Sequence, residues 1–495
     1  MQIVTSTTPN GILVRSASVP GRCFGALTFG VGTRDEPVAL AGITHLVLHL
    51  IEAEMGSDAA FRAQIDENTL DFTTSGTAAQ VTAALRRVAA IIGGLGGVGK
   101  SEIARQKHLM HVEEPGSYSS PGFDSATYRF GLDDLGVPAF GFPTLESLTK
   151  KDVLAWAGSW LTAENAAVAI TKPVGATFDL DLPSGPVPIR RAPISTGETP
   201  ALVPCNLAGA RLSLVVDAAS AEQLGEAIRA ALKRRLSDEA GLVYSVDLAT
   251  IPMDVSSTEI VFAIAPLEVD LPEAVRAAVL GLRDFAQDGV SDEALATAAD
   301  VVRLGLGSDP ASIRDWLIEA NEASLRGFVS PTRDEAVAAA AAFTPAFVAA
   351  ALTAALPSLV VEFDDRADLG KVAKKLEIQV VALEALESFT PKAWKKATKD
   401  ARIWEARKKT FPEGLTAVIT AGGLFYDPAG QGDPQRLLFG DLVLVGERPT
   451  GQLRLVTVNG GELIVDPADW KQGKQFVKAL RKAVPAELVR EFPAV

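Results

Sequence analysis

The chain has 495 residues, which suggests about three domains at roughly 150 residues each. Hydrophobic residues make up 47% and charged residues 22%, which excludes a disordered or fibrous chain. There are 47 Lys and Arg against 61 Asp and Glu, a net charge of −14, so broad nucleic-acid binding is not expected.

Two cysteines, Cys23 and Cys205, cannot build a disulfide framework, which points to a reducing compartment. The start MQIVTSTTPNGILV lacks a basic segment followed by an apolar one. No window has the roughly 18 uninterrupted apolar residues of a membrane span. The expectation is a soluble cytoplasmic protein without membrane association.

In chain order, GALTFGVGT (25–33) reads as a strand and AGITHLVLHLIEAEM as an amphipathic helix. LDFTTSG (70–76) has the β-branched and aromatic content of sheet, and TAAQVTAALRRVAAII (77–92) has helical period. SEIARQKHLMHVEE (101–114) is a further helix, and AENAAVAITKPV (163–174) contains a closing strand. The Pro-rich stretch 181–200 reads as a connector. The pattern then repeats: strand ARLSLVVDA (210–218), helix SAEQLGEAIRAALKRRLSDEA, strand TEIVFAIAP (258–266) and closing strand LPSLVVEFDD (356–365). Pro143-Thr144 and Pro331-Thr332 are about 188 positions apart, and a similar offset links the other landmarks. A constant offset indicates an internal duplication.

Beyond about residue 366 the character changes. KAWKKATKDARIWEARKK (392–409) reads as a basic helix, followed by short strands separated by Gly-rich turns and by a final helix. The basic stretch is either a solvated linker or a surface for an anionic membrane or partner. The predicted fold is α+β. It comprises two homologous α/β units (1–185 and 186–370), each an antiparallel sheet with helices on one side. A basic helical linker (371–410) and a β-rich domain with a C-terminal helix (411–495) follow.

Histidine is the scarce residue. His45 and His49 are i and i+4 on one helix, the spacing of two zinc-ligating imidazoles. The same spacing suits a pair of partly buried core histidines with polar partners. His108 and His111, i and i+3 on the next helix, either extend the site or are solvated. GLGGVGKS (94–101) matches the phosphate-loop pattern, but the run before it is helical. It reads as a loop between helices, and nucleotide binding is a distant alternative.

The segment GVGTRDEPVALAGITHLVLH, with Gly32, Arg34, Glu36, Gly42, His45 and His49, resembles the insulinase/pitrilysin family of zinc metallopeptidases. The likeness is to its two-domain, mitochondrial-processing-peptidase form. Glu102, Ile103, Arg105 and Glu113 fit the helix that carries the family's third metal ligand. The resemblance implies zinc held by His45, His49 and Glu113. It also implies peptide or unfolded protein as substrate, and a hetero- or homodimer with an active chain of the family. Two departures stand out. Leu48 occupies the position of the family's catalytic Glu, and leucine cannot accept a proton. Glu52, one turn on, and Glu114 are weak substitutes. In the second unit, LSDEAGLVYSV keeps Gly241, Leu242 and the substrate-binding Tyr244, but Ser237 replaces the substrate-binding Arg. Arg235 lies two residues earlier. No catalytic set is intact. The expectation is an inactive or weakly active protein that binds peptide chains as the non-catalytic subunit of a heterodimer. The alternative is a zinc endopeptidase with another base. The third domain is similar to bacterial pleckstrin-homology-like domains.

Overall fold

The structure is a computed structural model. It describes all residues except 1–2, 58–59, 114–123, 176–177, 191–192, 196, 308, 329, 382–385, 389, 400, 429–432 and 493–495.

The first unit is built on six strands: β1 (Ile3–Thr7), β2 (Leu13–Ala17), β3 (Cys23–Phe29), β4 (Arg62–Ile65), β5 (Leu70–Gly76) and β6 (Ala166–Ile170). Their spatial order is β1-β2-β6-β3-β5-β4. Only β2 and β6 run parallel. The helices are α1 (Ile43–Met55), α2 (Ala78–Gly94), α3 (Lys100–Glu113), α4 (Ser125–Phe130) and α5 (Lys150–Trp160). Strand alternation sends Leu27 and Val168 into a core shared with α1, α2, α3 and α5. Ala26 and Ala169 point to the opposite face.

The second unit has β7 (Ala201–Cys205), β8 (Ala210–Asp217), β9 (Val246–Pro252), β10 (Ser257–Ile264), β11 (Val360–Asp364) and β12 (Gln379–Val380). Its order, β12-β7-β11-β8-β10-β9, repeats the first sheet strand for strand over the five from β7 onward. β7 runs parallel to both β11 and β12, so both sheets are mixed rather than purely antiparallel. The helices are α6 (Ala221–Lys233), α7 (Leu271–Asp288), α8 (Asp292–Gly305), α9 (Pro310–Leu325), α10 (Arg333–Ala341), α11 (Pro345–Ala355) and α12 (Gly370–Leu376).

The second face of each sheet is covered by a helix from the other unit. Ile313 and Leu317 of α9 pack on Ala17, Ala26 and Ala169 of the first sheet. Tyr128 of α4 packs on Ala201, Val203 and Val360 of the second. α4 also carries Arg129 into the interior. Its Nε donates to Glu259 Oε1 at 3.1 Å, and Nη2 donates to the Ser213 carbonyl at 3.0 Å. The Arg129 and Glu259 side chains are 2% and 0% exposed.

The third region contains α13 (Pro391–Ala397), nine strands and α14 (Gly473–Ala483) among the described residues. The strands are β13 (Glu387–Ser388), β14 (Ile403–Glu405), β15 (Thr416–Ile419), β16 (Gly423–Asp427), β17 (Gln435–Leu438), β18 (Leu442–Glu447), β19 (Leu453–Thr457), β20 (Glu462–Val465) and β21 (Val489–Glu491). They form sheets β13-β17-β16-β15-β14 and β20-β19-β18-β21. Trp404, Trp470, Phe476 and Leu480 share their core. The region docks on the first unit. Leu444, Val456 and Phe492 pack against Val38, Ala41, Leu132, Val137 and Phe140, and Leu132 N donates to the Val458 carbonyl at 2.6 Å.

The expected linker at 371–410 does not exist as a basic helix. Val372, Ala373, Leu376 and Ile378 enter the second unit's core, and β12 joins its sheet. The helix expected over 392–409 stops at Ala397, and Ile403–Glu405 is a strand. Burial of Trp404 against Phe476 favours the extended backbone. Val38–Met55 and Ala78–Gly97 have the length and hydropathy of membrane spans. The first is 61% buried within the fold, and the second turns Arg86 and Arg87 to solvent.

Arg129→Ala should leave Glu259 buried without its cation and lower unfolding free energy by about 3–5 kcal/mol in a urea titration. Adding Glu259→Leu should recover part of that loss.

Candidate metal centre

The turn before α1 sets the site. Gly32 lies against the backbone of Glu67 and Asn68, where a Cβ would come within 2.2 Å of Glu67 C. Arg34, 4% exposed, ion-pairs with Asp134 and donates to Asn68 Oδ1 at 2.9 Å. It also donates to the carbonyls of Pro252 at 3.1 Å and Met253 at 2.9 Å, in the second unit. Glu36 caps α1: its carboxylate accepts from Gly42 N at 2.6 Å and Thr44 N at 2.8 Å. Burial pushes its pKa up to about 7, against the pull of those two bonds. Gly42 has φ 87°, and a Cβ there would meet Phe142 Cβ at 2.5 Å. The motif residues therefore fix where α1 begins and at what angle it leaves the turn.

α1 then presents His45 and His49 on one face, each side chain 13% exposed. α3 is held beside it. Ile103 and Met110 are buried in the common core, and Lys107 Nζ donates to the carbonyls of Glu146 and Leu148, both at 2.8 Å. His111 Nε2 meets Glu146 Oε1 at 2.7 Å, so it fixes the helix rather than joining the site. His108 is exposed. Glu113, at the end of α3, brings Oε2 to 3.0 Å from His49 Nε2 and 3.5 Å from His45 Nε2. The two imidazole nitrogens are 3.1 Å apart.

Two histidines and a carboxylate are a common zinc donor set. Four ligands at 2.0–2.1 Å in a tetrahedron stand about 3.3–3.4 Å apart. The observed edges of 3.0, 3.1 and 3.5 Å bracket that value, and this triad is the one such group among the described residues. The donor set and its spacing fit zinc.

The triad opens onto a cavity of about 770 Å³. One wall is β4, the edge strand of the first sheet, through Ala63, Gln64 and Ile65. Another is the segment Val137–Phe142, whose Phe142 ring meets His45 edge-on at 5.9 Å. That segment is the one the third region supports from behind. The sequence signal for this wall is its two phenylalanines, Phe140 and Phe142, in a loop with Pro138 and Gly141. Glu36, Glu52, Asp66 and Glu67 line the cavity, and no Lys or Arg does so among the described residues. Leu48 lines it too and is 4% exposed, with its remaining contacts in the core. Glu52 Oε1 accepts from Ala63 N at 3.3 Å. Glu114 lies outside the described residues.

The second-unit residues do not reach this cavity. Tyr244 is 93% exposed, and Ser237 Oγ donates to its carbonyl at 3.3 Å. Arg235 pairs with Asp284 at 2.7 Å. A six-residue π-helical turn, Arg234–Glu239, ends α6 and directs this segment outward. The glycine-rich loop 94–101 joins α2 to α3, so the strand that a phosphate loop requires is absent.

No family model and no curated protein matches the sequence. Solved structures do match. A chain of the complex III dimer from Candida albicans has TM-score 0.62 at 16% identity, covering 76% of this chain and 100% of that one. A peptidase M16 inactive domain from Pseudomonas fluorescens has TM-score 0.59 at 16% identity, covering 73% and 98%. The first half of the periplasmic protease PqqL from Escherichia coli has TM-score 0.56 at 13% identity, covering 76% and 93%. The chain has the fold of the M16, insulinase-like peptidases.

Folding raises the pKa of Glu36 from 4.5 to about 7, so the unfolded chain ionises first. Its stabilising contribution is complete below about pH 4.5 and is lost as pH rises to about 7. Glu36→Gln cannot ionise. The melting temperature of the variant relative to the parent should therefore climb between pH 4.5 and about 7, then level off. A difference independent of pH would refute the assignment.

Proposed function

We propose that this chain is a non-hydrolytic peptide- or protein-binding member of the M16-fold proteins, acting as the non-catalytic subunit beside an active chain. The observation that carries the reading is Leu48. It lies between His45 and His49 on α1, lines the cavity, and brings no proton acceptor to the place where hydrolysis needs one. His45, His49 and Glu113 would hold zinc. Zinc bound there would supply Lewis-acid polarisation and a more acidic water.

The cavity suits an extended chain. β4 is a sheet edge, and the Ala63 N–H points to Glu52, away from β5. With the Ala63 N–H held by Glu52, the outward Ala63 carbonyl and the backbone of Ile65 can pair with a peptide strand, and the carboxylate-lined walls favour basic side chains. A similar solved structure is described as an inactive M16 domain, in keeping with a non-hydrolytic role. The exposed Tyr244 offers an aromatic contact to a partner chain. For the third region we propose an association role, as in pleckstrin-homology-like domains.

A second reading, a zinc endopeptidase with a substitute base, rests on Glu52, which lines the same cavity. Its bond to Ala63 N and its position one turn beyond Leu48 disfavour it.

Purified protein should contain one zinc per chain, and His45→Ala should lose it. A peptide library should remain uncut by the parent chain. Leu48→Glu should gain hydrolysis by about 10²- to 10⁴-fold over background, the usual worth of a general base. Parental cleavage that His49→Ala and Glu52→Gln both abolish would replace the first reading with the second.

A further inference from the structure

The third region carries a charge pattern opposite to the rest of the molecule. Residues 391–410 hold eight Lys or Arg against Asp400 and Glu405, and 470–484 hold five with no Asp or Glu. The fold joins these two runs. Arg407 N donates to the Asp469 carbonyl at 2.7 Å, and Arg407 Nε to the Trp470 carbonyl at 3.0 Å. Lys471 N donates to the Glu405 carbonyl at 3.0 Å, and Arg402 reaches Gln475 Oε1 at 3.2 Å. Lys471 also pairs with Glu405, which removes that carboxylate from the balance.

α14 lays Phe476, Val477 and Leu480 on the core and turns Lys474, Lys478 and Lys482 to solvent in one row. None of these three has an ion pair within 4.0 Å among the described residues. Lys399, Lys408 and Lys409, on the adjoining run, are exposed as well. Ile403, on the edge strand β14, lies next to Arg402 and is 56% exposed.

We infer that the face formed by α14, Lys399 and residues 401–409 docks the protein on an anionic phospholipid surface. Three observations select this partner. The face is dominated by lysines, which act as point charges in a diffuse field, whereas phosphate forks in nucleic-acid recognition favour arginine. An exposed isoleucine stands among the cations, as in interfacial segments that insert an apolar side chain. The chain as a whole is −14, so a planar surface can meet the basic face alone, while a wrapping polyanion would meet acidic surface.

The test is co-sedimentation of the full chain with phosphatidylcholine vesicles, with and without one third phosphatidylserine, at low and high salt. The parent should bind only the anionic vesicles and should be released by salt. Each lysine near such a surface is worth about fivefold in affinity, so Lys474→Glu/Lys478→Glu/Lys482→Glu should weaken binding at least about 100-fold. Its melting temperature should match the parent, because all three side chains are exposed. Ile403→Ser should weaken vesicle binding severalfold without changing the salt dependence. Lys408→Glu/Lys409→Glu, on the other part of the same face, should also weaken binding, by at least about 25-fold. Absence of binding by the parent, equal binding by the lysine variants, or tighter binding to duplex DNA or polyglutamate at matched charge would each overturn the inference.

Discussion

A guanidinium taken out of water must find acceptors for its N–H groups, and the first unit is organised around one that does. Arg34 is 4% exposed and reaches four acceptor groups from three parts of the chain. Asp134 belongs to the loop that runs on into the cavity wall, Asn68 to the turn after β4, and the Pro252 and Met253 carbonyls to the second unit. Two residues further on, Glu36 caps α1. One five-residue turn thus sets the helix that bears both histidines, one cavity wall and the junction between units. A lysine could not replace Arg34, because its single ammonium cannot span acceptors in a planar fork.

The second constraint is the exchange of helices. Each sheet would otherwise expose an apolar face. α9 covers the first sheet and α4 the second. Each unit has its own main core, and the exchanged helices add smaller shared cores that tie the two halves together. The exchange also explains why polar groups are buried there. Arg129 and Glu259 neutralise each other at the centre of the second sheet's covered face. Duplication did not carry the site with it. α6 occupies the place of α1, but it has no histidine, and its Gly225 sits against Leu248 rather than beside an open cavity.

The duplication and the His45–His49 pair were legible because they depend on spacing along the chain, whereas Glu113, far away in sequence, entered only through the family resemblance. A period of 3.6 places His45 beside His49 whatever surrounds them, and a repeated strand order leaves a repeated offset. The basic stretch misled because its charges are helix-compatible, while the decisive contact, Trp404 on Phe476, joins residues far apart in sequence. Tyr244 keeps its motif but does not line the cavity. The Gly-Leu-x-Tyr pattern survives, but the π-helical turn before it points the segment to solvent. The phenylalanines of Val137–Phe142 signal an apolar surface, but what that surface faces is set by neighbours from distant parts of the chain.

Leu48 shows how structure and chemistry compete at one position. At 4% exposure it lies in the first core, where an ionised carboxylate would lose its hydration. A carboxylate in that place would need a cation nearby to hold its charge. Leucine removes the need and adds apolar burial worth about 1.5–3 kcal/mol. The triad itself is not freed by that exchange. Glu113 still faces two imidazoles, and Glu36, Glu52, Asp66 and Glu67 still line the same space without a Lys or Arg among the described residues. A divalent cation held by His45, His49 and Glu113 would offset that charge and fasten α3 to α1. Metal binding there would therefore favour the folded state whether or not the site hydrolyses anything, so the three ligands and Leu48 are compatible in one site.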